Sequence, residues 1–257
     1  MSVVRWVLIG AMSALTGCAS LTSIQRAETL GLGRSEVGLA ASGTGGVPTG
    51  GNGSAQVYPR FDLVGRTGVT DSVNLGGQFG TIIASSNGTT VLGLDVQAEA
   101  KTQLNDRNSP VAISLAPSVG AAFVAGGVTA QAFEFNASLP LLIGVKLGDH
   151  ELIFGPRVIN VLEVATGQGG GTVDLFGVGG SVGFAAQLTP NFNIIPEVAF
   201  NVPVVGNVNS VGTSQTTTNF SGFFLTFGVG FLYDWGGGGN AEFHPAHSDT
   251  MNPSSLF

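Results

Sequence analysis

The sequence predicts an all-β fold, an antiparallel up-and-down transmembrane β-barrel of about ten strands. Three observations predict it. The first is the run FSGFFLTFGVGFLYDW at 220–235. Phe223, Leu225, Phe227, Val229, Phe231 and Tyr233 share one face; Gly222, Thr226, Gly228, Gly230 and Asp234 share the other with Phe224 and Leu232. A period of two marks a strand, and this one is longer than a soluble sandwich usually needs. It suits a tilted crossing of hydrocarbon, closed by Tyr233 and Trp235 at the water boundary. The second observation is composition. Mean hydropathy is +0.37, yet past the N-terminus no apolar run approaches the roughly 20 residues of a spanning helix. The third is that nearly every strand charge falls on the face opposite the oily one. A charge facing lipid at mid-depth costs about 2–4 kcal/mol.

Residues 1–17 read as a secretory signal, with one early Arg5, an apolar run from Trp6 to Leu15 and then small residues. Leu15, Thr16, Gly17 and Cys18 resemble the bacterial lipoprotein signal. That resemblance implies cleavage before Cys18 and acylation of its thiol and new amino group, with palmitate among the acyl chains. Ala19 in the following position favours sorting to the outer membrane. Cys18 is the single cysteine, so an intrachain disulfide is excluded. More than one acyl chain makes a stable anchor. Residues 18–32 are then expected to be a lipidated polar tether lying on the periplasmic side.

The barrel is expected over 33–235. Turn signals place strands at 34–42, 55–68, 72–84, 89–103, 110–125, 128–147, 151–165, 172–188, 192–205 and the closing segment. The Asn87-Gly88 pair is a good hairpin turn. An even count returns both termini to one side, and the two longest connections, 43–54 and 206–218, then share the other rim. Eight or twelve strands stay open, because 128–147 is long and contains Pro140. Pro59, Pro117, Pro140, Pro156, Pro196 and Pro203 all fall inside expected strands, where each lacks a ladder donor, so bulges near the rims are expected. These prolines keep a soluble barrel or sandwich on a lipid tether as an alternative. Residues 236–257 are expected to be a flexible periplasmic tail.

Period two assigns the faces. Outward positions include Val57, Phe61, Leu63, Leu75, Phe79, Leu94, Val96, Phe133, Phe135 and Phe184. The expected lumen lining, and the path of any pore, is Arg60, Asp62, Arg66, Gln78, Asp95, Glu99, Lys101, Glu134, Arg157 and Glu197. Acids and bases nearly balance there, as in a charged plug whose members offset one another's desolvation. A narrow conducting path is the sharper alternative.

Other chemistry is thinly supported. The three histidines are His150 in a turn and His244 and His247 in the tail, away from any nucleophile on a strand face. His244, His247 and Asp249 have the spacing of a weak metal site, but a solvated tail explains them, so no catalytic or metal site is assigned. The runs at 167–171 and 236–239 lack the context of a phosphate loop. Net charge −7 argues against nucleic acid. No cofactor is expected beyond the covalent lipid.

Over 33–235 the chain resembles the broad class of bacterial outer-membrane β-barrels, and Gly228, Val229, Gly230, Phe231, Leu232 and Tyr233 resemble their closing-strand insertion signal. Some twenty residues follow that strand, a departure from the usual pattern. The resemblance implies an outer-membrane location with periplasmic termini. Its implied partners are membrane lipid and the barrel-insertion and lipoprotein-sorting machineries. Two roles are expected: a narrow porin-like channel, or a non-conducting structural or adhesive barrel acting through 43–54 and 206–218.

Overall fold

The computed structural model describes residues 23–48, 57–86, 89–126, 130–166, 171–210, 213–217 and 222–236. Over these residues thirteen strands form one antiparallel sheet that closes on itself. They are β1 (Arg34–Pro48), β2 (Val57–Gly68), β3 (Val73–Ser86), β4 (Thr89–Gln103), β5 (Val111–Leu115), β6 (Ser118–Gly126) and β7 (Ala130–Leu147). Then come β8 (His150–Phe154), β9 (Arg157–Thr166), β10 (Gly171–Thr189), β11 (Phe192–Ser210), β12 (Thr213–Thr217) and β13 (Gly222–Gly236). β5 and β6 both lie between β4 and β7, and β8 and β9 both lie between β7 and β10. Each pair is one stave cut in two, so the barrel has ten staves. β12 is a short addition on the far end of β11.

Closure rests on the segment with the strongest alternation. β13 pairs with β1 from Arg34↔Gly236 to Pro48↔Gly222, and with β11 on its other side. No long edge is then left to recruit another chain. The short connections 69–72, 104–110, 148–149 and 190–191 lie at the same end as residues 33 and 236, here called the base. At the opposite rim the connections at 49–56, 87–88, 127–129 and 167–170, the Asn87-Gly88 turn among them, lie outside the described residues, as does the tail.

The prolines account for the cuts. Ala116 and Pro117 separate β5 from β6; Gly155 and Pro156 separate β8 from β9. Proline has no N–H for the ladder, but its carbonyl still serves: Ala100 N donates to Pro117 O at 3.0 Å and Leu141 N to Pro156 O at 2.9 Å. Pro203 sits at a register shift, where Phe176 pairs with Val205 but Gly177 with Pro203, a bulge of the kind expected. Pro140 does not break β7. The strands expected at 110–125 and 151–165 are each two pieces. Two expected loops shorten, because β1 runs on to Pro48 and β11 to Ser210.

Inside and outside follow the period. Along β2 the pattern alternates without a break, with Val57, Phe61 and Leu63 exposed and Tyr58, Arg60, Asp62, Val64 and Arg66 buried. Phe79, Val96, Phe135, Phe200 and Phe227 continue the exposed band, each at least half exposed. Such a continuous apolar exterior is not tolerated by water on this scale, whereas a closed barrel satisfies its backbone inside hydrocarbon. Tyr233 and Trp235 stack at 6.4 Å on the outer face near the base, where aromatic girdles sit.

Candidate functional site: the lumen and the segment inside it

The inner wall is built of ion pairs that cross over glycines. Arg60 and Asp62 stand two apart on β2 and so share the inner face. Arg60 Nη2 lies 2.7 Å from Asp62 Oδ1 and 2.6 Å from Asp95 Oδ1, the latter reaching from β4 across β3. Between them β3 presents Gly80, where a Cβ would collide with Asp95, Asp62 and Arg60 together. Gly76 repeats the device one step nearer the base: Arg66 binds Glu99 across it, and also Glu36 of β1 at 2.7 Å. Arg157 on β9 pairs with Glu197 on β11 at 3.5 Å. These groups are withdrawn from solvent, Arg60 at 2% exposure and Arg157 at 6%. Removing one member of a buried pair costs about 3–5 kcal/mol, because the other is left charged and bare.

Part of the tether expected on the periplasmic side lies within the barrel, a placement the sequence reading does not include. Residues 23–32 enter the lumen at the base and are bound from much of the wall. The backbone N–H groups of Ser23 and Ile24 donate to the Glu197 carboxylate at 3.0 and 2.8 Å. Lys101 donates to the carbonyls of Arg26 and Glu28, both at 2.9 Å, and Ser114 to that of Ala27 at 2.6 Å. Arg26 pairs with Glu151, Glu28 with Lys146, each at 3.1 Å. Thr29 N and Leu30 N donate to Gln103 and Asn74. Every polar strand position in this set is one that alternation turns inward.

Two apolar contacts seat the segment. Ile24 packs with Ala40, Ile153, Ala185, Ile195 and Leu232, and Ala27 with Ala112, Ala116 and Leu142. Wall glycines make the room: a Cβ on Gly230 would meet Ile24, on Gly144 would meet Ala27, and on Gly68 would meet the Gly31 backbone. Ile24 is at φ 31°, among the described residues the one non-glycine with positive φ. For a β-branched side chain that conformation is strained by about 1–3 kcal/mol and persists only because its surroundings hold it.

The remaining expected lining residues are also on the inner face. Lys101 and Glu99 face the segment, and Gln25 reaches Glu99 at 3.3 Å. Gln78 is half-buried on β3, opposite Gln97 of β4. Glu134 accepts from Asn136 at 3.5 Å and stands in register with Glu163 of β9. Cys18 lies outside the described residues. Two buried wall carboxylates, Glu36 and Glu163, are not among the lining residues expected from sequence, although the alternation that turns Arg157 inward extends to Glu163. Two apolar clusters also line the lumen, Tyr58 with Ile82, Ala122 and Val124, and Ile159 with Val161 and Phe224. His150, the one histidine among the described residues, opens β8, where its Nδ1 accepts from Gln187 N at 3.2 Å.

No protein-family model matches the chain and no curated protein matches it. Solved structures are similar to it at low identity. One is the translocator domain of the autotransporter NalP from Neisseria meningitidis, at 12% identity over 89% of this chain and 95% of that one, with a TM-score of 0.47. Another is the outer membrane protease OmpT from Escherichia coli, at 12% identity over 81% and 100%, with a TM-score of 0.45. A third is Ail, the attachment invasion locus protein of Yersinia pestis, at 12% identity over 79% and 99%, with a TM-score of 0.37. By its own closure, its oily exterior and its ionic interior, the chain is a transmembrane β-barrel of ten staves.

Proposed function

We propose that this protein is an outer-membrane barrel, lipid-anchored through Cys18 and with both termini in the periplasm, that is closed to solutes at rest. Its role is then structural or adhesive, exerted at the rim opposite the base. Its partners are membrane lipid and the machineries that insert barrels and sort lipoproteins. The observation that carries this reading is the filled lumen: charges such as Arg60, Asp62 and Asp95 are almost wholly withdrawn from solvent, and residues 23–32 occupy the base. Ion pairs that neutralise one another at contact distance offer little to a passing ion.

Full-length protein reconstituted in planar bilayers is expected to stay silent for almost all of the recording. Frequent ion steps from the unaltered chain would contradict the closed reading and favour a standing porin-like path along the same residues. In cells, Cys18→Ser is expected to abolish incorporation of labelled palmitate while the barrel still fractionates with the outer membrane. Retained label would remove the anchor from this account; loss of the barrel to the soluble fraction would instead favour a soluble domain on a tether.

A further inference from the structure

We propose that residues 23–32 are a releasable plug, and that their withdrawal from the base opens the lumen to small cations. The inference rests on the closed-barrel reading above and adds what the closure is for.

Several polar groups in the seat of the segment are incompletely satisfied among the described residues. Among the buried polar atoms without a hydrogen-bond partner are Gln25 Oε1 on the segment itself and Asn74 Nδ2, Gln103 Nε2, Arg107 Nε and Glu151 Oε1 on groups that hold it. Each of those groups bonds the segment and leaves another atom bare: Asn74 accepts from Leu30 N, Gln103 from Thr29 N and Thr29 Oγ1, Glu151 from Arg26, and Arg107 donates to Thr29 O. A buried polar atom left bare opposes docking, and water would satisfy all of these atoms once the segment left. The strained φ of Ile24 pushes the same way, since it relaxes outside its pocket. Against release stand the Glu197, Lys101 and Ser114 hydrogen bonds to the segment backbone, the Arg26–Glu151 and Glu28–Lys146 ion pairs, and the apolar footprints of Ile24 and Ala27.

Beyond the plug, the wall carries polar atoms that no group among the described residues answers. Asn201 is 3% exposed and both its amide atoms are bare; Asp95 Oδ2, Glu134 Oε2 and Glu163 Oε2 are bare as well. Carboxylate oxygens dominate this set, and Glu134 and Glu163 are direct cross-strand neighbours. A hydrated path along them holds cations and repels anions, as rings of acidic side chains do in cation channels.

The structure supplies its own lock. A Cβ placed on Gly230 lies 3.6 Å from Ile24 Cβ, within the range a disulfide spans. In full-length protein with Cys18→Ser, the pair Ile24→Cys and Gly230→Cys, oxidised, is expected to abolish ion steps and protect the Arg26–Ala27 bond from trypsin. Reduction with dithiothreitol is expected to expose that bond and start conduction. Separately, Ile24→Asp places a carboxylate in the apolar seat, facing Glu197. It is expected to raise open time by roughly tenfold or more over the unaltered chain, with reversal potentials in potassium chloride gradients on the cation side. Adding Glu134→Gln and Glu163→Gln is expected to reduce that preference.

Every variant is first checked for bilayer insertion and heat-modifiable gel migration; loss of both strikes the barrel reading itself. In inserted protein, oxidised and reduced forms that conduct alike would overturn the gate. An Ile24→Asp protein cut at Arg26 yet silent would overturn the path. One that is silent and uncut would overturn release, and anion preference would overturn the carboxylate assignment.

Discussion

Arg60 shows how single residues govern this lumen. Its guanidinium is shared by Asp62 and Asp95, so truncation leaves two carboxylates buried against each other with no cation between. Arg60→Ala is expected to destabilise the folded barrel by about 3–5 kcal/mol, read as a lower urea midpoint in detergent micelles. Arg60→Ala with Asp62→Asn and Asp95→Asn should recover much of that loss; a triple variant as unstable as the single one would mean the charges are not coupled. At this scale the sequence was informative. The alternation that placed Phe61 and Leu63 outward also placed Arg60, Asp62 and Arg66 inward, because a pleated strand offers only two faces. It could not say which acid met which base, since Asp95 reaches Arg60 past Gly80 of a third strand, and no local pattern encodes a contact across a strand.

At the scale of elements, closure depends on close approach between β1 and β13. Gly38 sits opposite Leu232, and a Cβ there would collide with the Leu232 side chain and the Phe231 carbonyl. Gly38→Val is therefore expected to leave the last seam unpaired, so that the refolded protein lacks the heat-modifiable compact form on gels. Normal migration would mean the seam tolerates separation. The closing strand was readable because its oily face is uninterrupted. Its partner was readable only in part: Gly43, Gly45, Gly46 and Pro48 have the composition of a turn, but pairing with 222–227 of β13 holds them extended. Residues 23–32 were misread for a different reason. They have no period of their own, and their conformation comes from side chains on distant strands, as in the Glu197 bond to Ile24, 173 residues away. Nothing within a short window records such a seat.

For the whole molecule, the claim is that one sheet separates two media, hydrocarbon outside and a filled ionic interior within. Among the described residues the oily band has no second layer over it, and the wall charges are withdrawn from solvent. The most direct test is a nitroxide scan along β4 of the Cys18→Ser protein in lipid bilayers, comparing outward Leu92, Leu94, Val96 and Ala98 with inward Gly93 and Gln97. The outward positions are expected to collide strongly with dissolved oxygen and weakly with a water-soluble nickel chelate, while the inward positions see little of either. Outward positions open to nickel, or the same oxygen collision rate on both faces, would contradict it.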